Sequence, residues 1–474
     1  MVNDFSLLFI KSTNNNEFLP LVKNFLPERG FSLAFSGEYA TILMIKLVYK
    51  ESVVCMLRRF TRSIRYKFSA VPVRYWHFSG VEFTFWFATA CAGFLTSYLQ
   101  GQGMSSTQVG IITAANSAVA VVASPFWGML SDKIRSIRTC LTVCIIIGGI
   151  TWVCIPLVGN WVIAGTSFSM FFIPFSNFFR NPISMLKDSW VVGSANVQHL
   201  NYGAIRLWGS ISYAIMSMIL SLITPYIGME WTFYLYGVTL IPLLLLCVII
   251  KDEEEGSGAQ GRKHYKLREM HFGRLFRNYY FVTFIIFHIA VNVPVGTAVN
   301  FLPYLMTEIQ VDTSQIGTLM GYKALLEIPM LYMMIRFRRR FSLPQLQLAA
   351  ATLMGLMCVG YGFSHNFLAL MAASTIYGLA GGVDIGTATN YIYTLAPVEL
   401  KATAQTMYGS VSGLAYIGGS LAGGILIDMM GTRAFFFLAA GITLIALLFL
   451  IGSIAFGKYV LHKEIPSAAL RTHS

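Results

Sequence analysis

The sequence predicts an all-α integral membrane protein, with twelve transmembrane helices arranged as two six-helix pseudo-repeats. Three observations predict this. Of 474 residues, 55% are hydrophobic and only 12% charged, whereas an ordinary soluble protein carries roughly a quarter charged residues. The hydrophobic residues gather in twelve runs, near 78–100, 107–130, 139–158, 161–189, 203–225, 230–250, 279–306, 314–336, 344–363, 367–395, 404–427 and 434–457. A helix rising about 1.5 Å per residue needs about 20 residues to cross a hydrocarbon core of about 30 Å, so these runs are long enough. Two short words in the first half also recur at equivalent places in the second. The runs lack the strict alternation of a barrel, the other architecture that satisfies its backbone in lipid.

Residues 1–75 read as a poorly ordered cytoplasmic extension, polar and mixed, with no spanning run and no cleavable signal peptide. Within it, 41–57 has apolar patches broken by Lys46, Lys50 and Glu51, which suits at most a surface-lying helix. Met56 opens a basic lead-in to the first span (Met-Leu-Arg-Arg-Phe-Thr-Arg-Ser-Ile-Arg) and is a candidate natural start. Residues 76–250 then form the first bundle and 279–458 the second. Between them, 251–278 is a charged flexible linker, with an acidic stretch at Asp252-Glu253-Glu254-Glu255 followed by bases; 459–474 is a cytoplasmic tail.

The bases set the orientation. Arg58, Arg59, Arg62, Arg65, Lys67, Lys133, Arg135 and Arg138 fall on one side of the predicted membrane. So do Lys251, Arg262, Lys263, Lys266, Arg268, Arg274 and Arg277 of the linker, and Arg336, Arg338, Arg339 and Arg340. The opposite turns hold only Arg433. By the positive-inside rule both termini are cytoplasmic, in a plasma or bacterial inner membrane. The net charge of +13 is then topogenic and faces anionic headgroups, with no need of nucleic acid. The seven cysteines (Cys55, Cys91, Cys140, Cys144, Cys154, Cys247, Cys358) show no metal-ligand or redox spacing and read as small buried hydrophobes.

The duplicated words are Thr107-Gln108-Val109-Gly110 against Ser314-Gln315-Ile316-Gly317, and Trp208-Gly209-Ser210-Ile211-Ser212 against Tyr408-Gly409-Ser410-Val411-Ser412. They open the second and eighth spans and lie in the fifth and eleventh. In such repeats the solute sits near midplane between the halves. The glycine-rich Gly419-Ser420-Leu421-Ala422-Gly423 is a close-packing motif, and Pro125, Pro182, Pro294 and Pro329 are expected to bend helices.

Between spans two and three stands Gly128-Met129-Leu130-Ser131-Asp132-Lys133, with Arg138 further on. This segment and the duplicated halves resemble the major facilitator superfamily over about residues 75–458. The resemblance implies a gate in which Gly128 allows close approach and Asp132, beside Lys133 and Arg138, latches the cytoplasmic side. Arg135 stands where the superfamily's second glycine is expected. The second copy, Ile335-Arg336-Phe337-Arg338-Arg339-Arg340, has lost the acid; topogenic charge alone is the other reading of this motif.

Asn201-Tyr202-Gly203-Ala204-Ile205-Arg206-Leu207-Trp208-Gly209-Ser210 and Asn181-Pro182-Ile183-Ser184-Met185-Leu186-Lys187-Asp188 resemble the fifth and fourth helices of the lactose permease and phenylpropionate permease branch of proton symporters. The resemblance assigns solute binding to Asp188 and Arg206, and puts Tyr213 where lactose permease stacks a tryptophan on the sugar. Charge within a bilayer costs about 2.5–3.5 kcal/mol even on the lenient insertion scale, so Asp188 and Arg206 are expected to face each other or a wet cavity. A guanidinium can grip hydroxyls or a carboxylate: a free Arg206 favours a carboxylate, one neutralised by Asp188 favours hydroxyls. A purely structural ion pair is the alternative.

The proton-coupling candidates are Glu327 with Lys323 one turn before it, Asp384 in the glycine-rich tenth span, and His288 with Asn292 in the seventh. Desolvation and a neighbouring cation act in opposite senses on such a carboxyl, making its protonation depend on occupancy. The tenth-helix histidine and glutamate of lactose permease have no counterpart, since Tyr377 and Ala380 stand there; Asp384, or His288 with Asn292, would have to substitute. Asn292 and Asn390 are further solute-binding candidates. The expected function is secondary transport of a small polar or aromatic solute (sugar, nucleoside or aromatic acid), coupled to H+ by symport, in a monomer with no cofactor and no metal. A proton-driven efflux antiporter of the same fold is the second reading. An enzyme would need a nucleophile–base pair, metal ligands or a sizeable soluble domain, and a primary pump would need a phosphate-binding GxxxxGK[ST] loop; the sequence offers none of these.

Overall fold

The structure, a computed structural model, describes residues 72–159, 161–163, 166–198, 200, 202–250, 275, 277–396 and 400–463, all within one compact unit, Pro72–Ser474. The expectations for the extension up to residue 71, for nearly all of the 251–278 linker and for the tail beyond 463 lie outside the described residues.

Twelve long helices succeed one another among the described residues. They are α1 Val73–Ala92 (continued by Leu95–Gly101), α2 Ser106–Ile134, α3 Ile137–Val153 (continued by Ile155–Val158), α4 Ser169–Val197, α5 Tyr202–Ile227 and α6 Trp231–Ile249. The second series is α7 Tyr279–Asn300 (continued by Leu302–Glu308), α8 Ile316–Arg340, α9 Leu343–Gly362, α10 Phe367–Leu395, α11 Lys401–Met430 and α12 Thr432–Tyr459. Polar side chains at the turns start many of them. Ser105 with Gln108 and Ser342 with Gln345 form capping boxes before α2 and α9, while Ser136, Asn278 and Asn366 accept from backbone N–H groups opening α3, α7 and α10. α2, α4, α7 and α8 continue through Pro125, Pro174 and Pro182, Pro294 and Pro329.

The fourth span departs from expectation. Residues 161–163 and 166–168 are not helical: Val162–Ile163 pairs antiparallel with Thr166–Ser167, so α4 begins at Ser169 and runs to Val197. The stretch is β-branched and contains a glycine, which suits a tight hairpin better than a helix start. Nine described helices are long and apolar enough to cross a membrane. Of the others, α3 is short, and α4 and α8 hold interior charges: Arg180, Lys187 and Asp188, and Lys323 and Glu327. The helices least apolar in composition are those carrying candidate site residues.

α1 begins on the side where α12 ends, so α2 begins on the far side. There the halves meet along two crossings, α2 with α11 and α5 with α8. A Cβ on Gly110 would lie 2.7 Å from the Ser420 carbonyl and 3.1 Å from the Gly424 Cα; one on Gly321 would lie 2.8 Å from the Ala214 carbonyl, and one on Gly317 would strike the Ser217 carbonyl. Gly110 and Gly317, the last residues of one duplicated word, thus serve the same purpose in each half. Hydrogen bonds reinforce the far end: Ser106 N and Thr107 N donate to the Asp428 carboxylate at 3.1 and 2.8 Å, Tyr304 Oη to Met104 O at 2.7 Å, Gln100 Nε2 to Thr307 Oγ1 at 3.0 Å and Thr318 Oγ1 to Ser221 Oγ at 2.8 Å. Asp428 sits at the exposed N–H groups that begin α2, where the helix dipole favours a negative charge.

At the other end of α2, Arg135 closes the helix in the left-handed conformation, φ 57° and ψ 28°. Glycine takes this conformation without Cβ strain. Arg135→Gly is therefore expected to stabilise the fold by about 0.5–1 kcal/mol, read as a raised melting temperature of the purified protein.

Candidate functional site

In the first half, charge gathers where α1, α4 and α5 face one another. Glu82 lies nine residues into α1, about 14 Å of rise from its start. Its Oε1 pairs with Lys187 Nζ at 2.6 Å, and both side chains have no solvent exposure. Lys187 Nζ also lies 2.6 Å from Asp188 Oδ1, whose side chain is 41% exposed. On the other edge of Glu82, Oε2 accepts from the Trp86 indole N–H at 3.0 Å and stands 4.0 Å from Arg206 Nε, on a side chain 34% exposed. Tyr202 Oη donates to Asp188 Oδ1 at 3.3 Å.

Asp188 and Arg206 therefore share one cluster, but they do not meet as the sequence led us to expect. Asp188 faces Lys187, and the carboxylate set against Arg206 is Glu82. Arg206 is only four residues, about 6 Å, into α5, and its guanidinium reaches Glu82 over the Trp86 ring, 4.2 Å from the centroid. Gly209 makes room for this stacking, because a Cβ there would strike Trp86 and lie 2.8 Å from Arg206 Nη1. Tyr213 meets Trp86 edge-on, centroids 6.2 Å apart, and its hydroxyl lies 3.6 Å from Met320 Sδ of α8. An aromatic wall thus continues from the charged cluster to the junction between halves.

In the second half, Lys323 Nζ pairs with Glu327 Oε1 at 3.0 Å and lies 4.2 Å from the centroid of Tyr377. Glu327 is held against α10 at Gly381, where a Cβ would fall 2.8 Å from its Oε1. A second cluster lies deeper: His288 Nε2 is 3.1 Å from Asp384 Oδ1 and His288 Nδ1 is 2.8 Å from Tyr408 Oη. Asn292 Nδ2 donates to the His288 carbonyl at 3.2 Å. Gln347 of α9, in the amide orientation that satisfies both its ends, donates to Asp384 Oδ1 at 3.2 Å. His288 and Asp384, separate candidates in the sequence, are one pair here. The duplicated word explains part of it: Tyr408 hydrogen-bonds to α7 as its counterpart Trp208 does to Tyr75 of α1, at 3.3 Å.

The remaining candidates stand apart. Asn390 is exposed and donates to its own helix at Gly386 O, 2.9 Å, so the structure does not bring it to either cluster. Asp132 and Lys133 are exposed at the end of α2. A Cβ on Gly128 would lie 3.5 Å from Met185 Cε, an ordinary contact that does not require glycine. Arg138 Nη1 donates to Ile250 O at 2.6 Å, tying α3 to the end of α6 within the first half.

Three residues were missed as candidates. Glu82 is a carboxylate inside an apolar run, which by itself marks an intramembrane site. Lys187 adjoins Asp188 in the motif already noted. Trp86 gave no distinguishing signal; an aromatic in a span is ordinarily packing.

Comparison with known proteins bears on the family and the fold. The MFS_1 like family matches residues 75–438. The maltose permease of Geobacillus stearothermophilus is 26% identical over 360 residues, 75% of this chain and 88% of that protein. The sucrose permease of Escherichia coli is 22% identical over 374 residues, 74% of this chain and 86% of the permease. Among solved structures, the nucleoside transporter NupG superposes with a TM-score of 0.69 at 16% identity, covering 80% of this chain and 98% of NupG; at that identity the likeness speaks for the fold.

Proposed function

This chain belongs to the MFS_1 like family of major facilitator transporters, and from that premise we propose that it moves a neutral, hydroxyl-rich solute of the sugar or nucleoside class, coupled to H+ by symport. The observation that carries the reading is the local charge balance. Glu82 and Asp188 oppose Lys187 and Arg206, so the cluster sums to zero and offers no net attraction to an anion. Its two partly exposed members, Asp188 and Arg206, remain able to accept from and donate to hydroxyls. Trp86 and Tyr213 supply aromatic surface for a ring. Sugar permeases among the relatives agree with this choice over an aromatic acid.

In the proposed cycle α1–α6 and α7–α12 rock about this hollow. The halves are fastened at the end away from the start of α1 and the end of α12; with that start and end on the cytoplasmic side, this is an inward-facing state. Gly128, Asp132, Lys133 and Arg138 then form the latch of the alternate state, Arg138 bracing it through Ile250. Glu327 carries the proton: with Lys323 it stands beside the Tyr213–Met320 contact between halves, where solute can disturb the pair. Asp384 and His288 are held within the second half by Tyr408 and Gln347.

Thermal-shift measurements test the solute class. Neutral glycosides or nucleosides should stabilise the purified protein and their carboxylate analogues should not; stabilisation by the carboxylates alone overturns the reading. Coupling is tested in proteoliposomes. A pH difference of about one unit supports about tenfold accumulation through one-to-one coupling. Glu327→Gln should reduce that ratio to unity while solute counterflow continues. Accumulation that survives the change removes Glu327 from the role, and solute expelled against its gradient identifies an antiporter.

A further inference from the structure

We propose that Glu82 determines specificity in this site: by holding the Arg206 guanidinium it excludes anionic solutes. The inference rests on the neutral-solute reading above and names the residue that enforces it. Arg206 is the cation with the exposure to meet a solute, and Lys187 is fully enclosed. An arginine that lines a hollow in a membrane bundle is a ready partner for a carboxylate. Glu82 opposes this from a fixed position. Its Oε2 lies 4.0 Å from Arg206 Nε, and its position is fixed by Lys187 at 2.6 Å and the Trp86 indole at 3.0 Å, so it cannot swing aside without losing both.

Asp188 does not do this, because its carboxylate is drawn to Lys187 and is itself exposed to incoming solute. The charged and titratable groups around Glu82 are Lys187 and Asp188 of α4 and Tyr202 and Arg206 of α5. Removing Glu82 alone leaves two cations against one carboxylate. The released positive charge is Arg206, since Lys187 keeps Asp188. Removing Glu82 together with Lys187 restores one cation against one carboxylate.

This arithmetic gives a test that a merely structural role would not satisfy. Glu82→Gln keeps the shape and an acceptor for the Trp86 indole. Paired neutral and anionic analogues, a glucoside and the matching glucuronide, are measured by competition binding on the purified protein. In Glu82→Gln the affinity ratio should move towards the anion by about tenfold, which corresponds to about 1.4 kcal/mol. The Glu82→Gln/Lys187→Met double variant should return the ratio to that of the parent, because one cation again faces one carboxylate. An unchanged ratio in Glu82→Gln, with the glucoside still bound, overturns the inference. A double variant that shifts as far as the single one does so too. If the parent binds no neutral sugar or nucleoside, the solute reading itself has failed, which is a different result. Should Glu82→Gln not fold, Glu82→Asp applies the same test: its shorter carboxylate stands further from Arg206, so a partial shift towards the anion is expected and an unmoved ratio overturns the inference.

Discussion

Gly424→Leu is expected to cut translocation to about a tenth or less while leaving solute binding intact. A Cβ at Gly424 would already strike the Ser106 carbonyl and lie 3.1 Å from the Gly110 Cα. A leucine adds three further carbons to a crossing made of backbone against backbone. Side-chain adjustment cannot absorb this, because the obstructing atoms belong to the main chain of α2. Overpacking of that kind costs about 1–3 kcal/mol, enough to shift a two-state equilibrium by about fivefold to about 150-fold. The far end would stay parted, and Ser106 N and Thr107 N would lose Asp428. Solute should still stabilise the purified variant, whereas counterflow in proteoliposomes should fall to about a tenth or less of the parent's. A variant that exchanges solute at the parental rate would show that this crossing does not need to close.

Arg206→Ala should be the most damaging single change at the cluster. It removes a guanidinium that stacks on Trp86 and faces Glu82, leaving Glu82 and Asp188 against Lys187 alone. Losing a charge-assisted contact to the solute costs about 1.5–3 kcal/mol, so solute affinity should fall by about tenfold to a hundredfold. Arg206→Lys is the informative companion. It keeps the net charge at zero but loses the planar fork and the stacking surface. If recognition depends on the fork, the lysine variant should bind far more weakly than the parent, measured by thermal shift over a range of solute concentrations. Near-parental binding by Arg206→Lys would reduce the role of Arg206 to bare charge.

Much of the architecture was legible because membrane helices advertise themselves by run length and the repeat by recurring words. Even so, the fourth span was misjudged at its start. Trp161 to Phe168 is apolar enough to extend the run, and only the pairing of Val162–Ile163 with Thr166–Ser167 shows those four residues to be strand. The glycine motif behaved similarly. Gly419 and Gly423 do sit at a close approach, but against Val293 and Thr297 of α7 within their own half. The neighbouring Gly424, one residue outside the motif, meets the other half. A step of one residue rotates a side chain by about 100° around a helix, so spacing rules can find close packing without saying against which helix.

The chain alone determined that it lies in a membrane, that it is a doubled six-helix design, and that a few charges in the interior demand partners. Composition and period settle those matters, since lipid leaves the backbone few alternatives. Which charge meets which was decided only in three dimensions. Asp188 and Arg206, 18 residues apart, looked like a pair, yet Lys187 and Glu82 come between them. His288 and Asp384, almost a hundred positions apart, form a pair that spacing does not reveal. Coulombic attraction falls with distance in space, not along the chain, so partners on different helices become known only once the helices are placed.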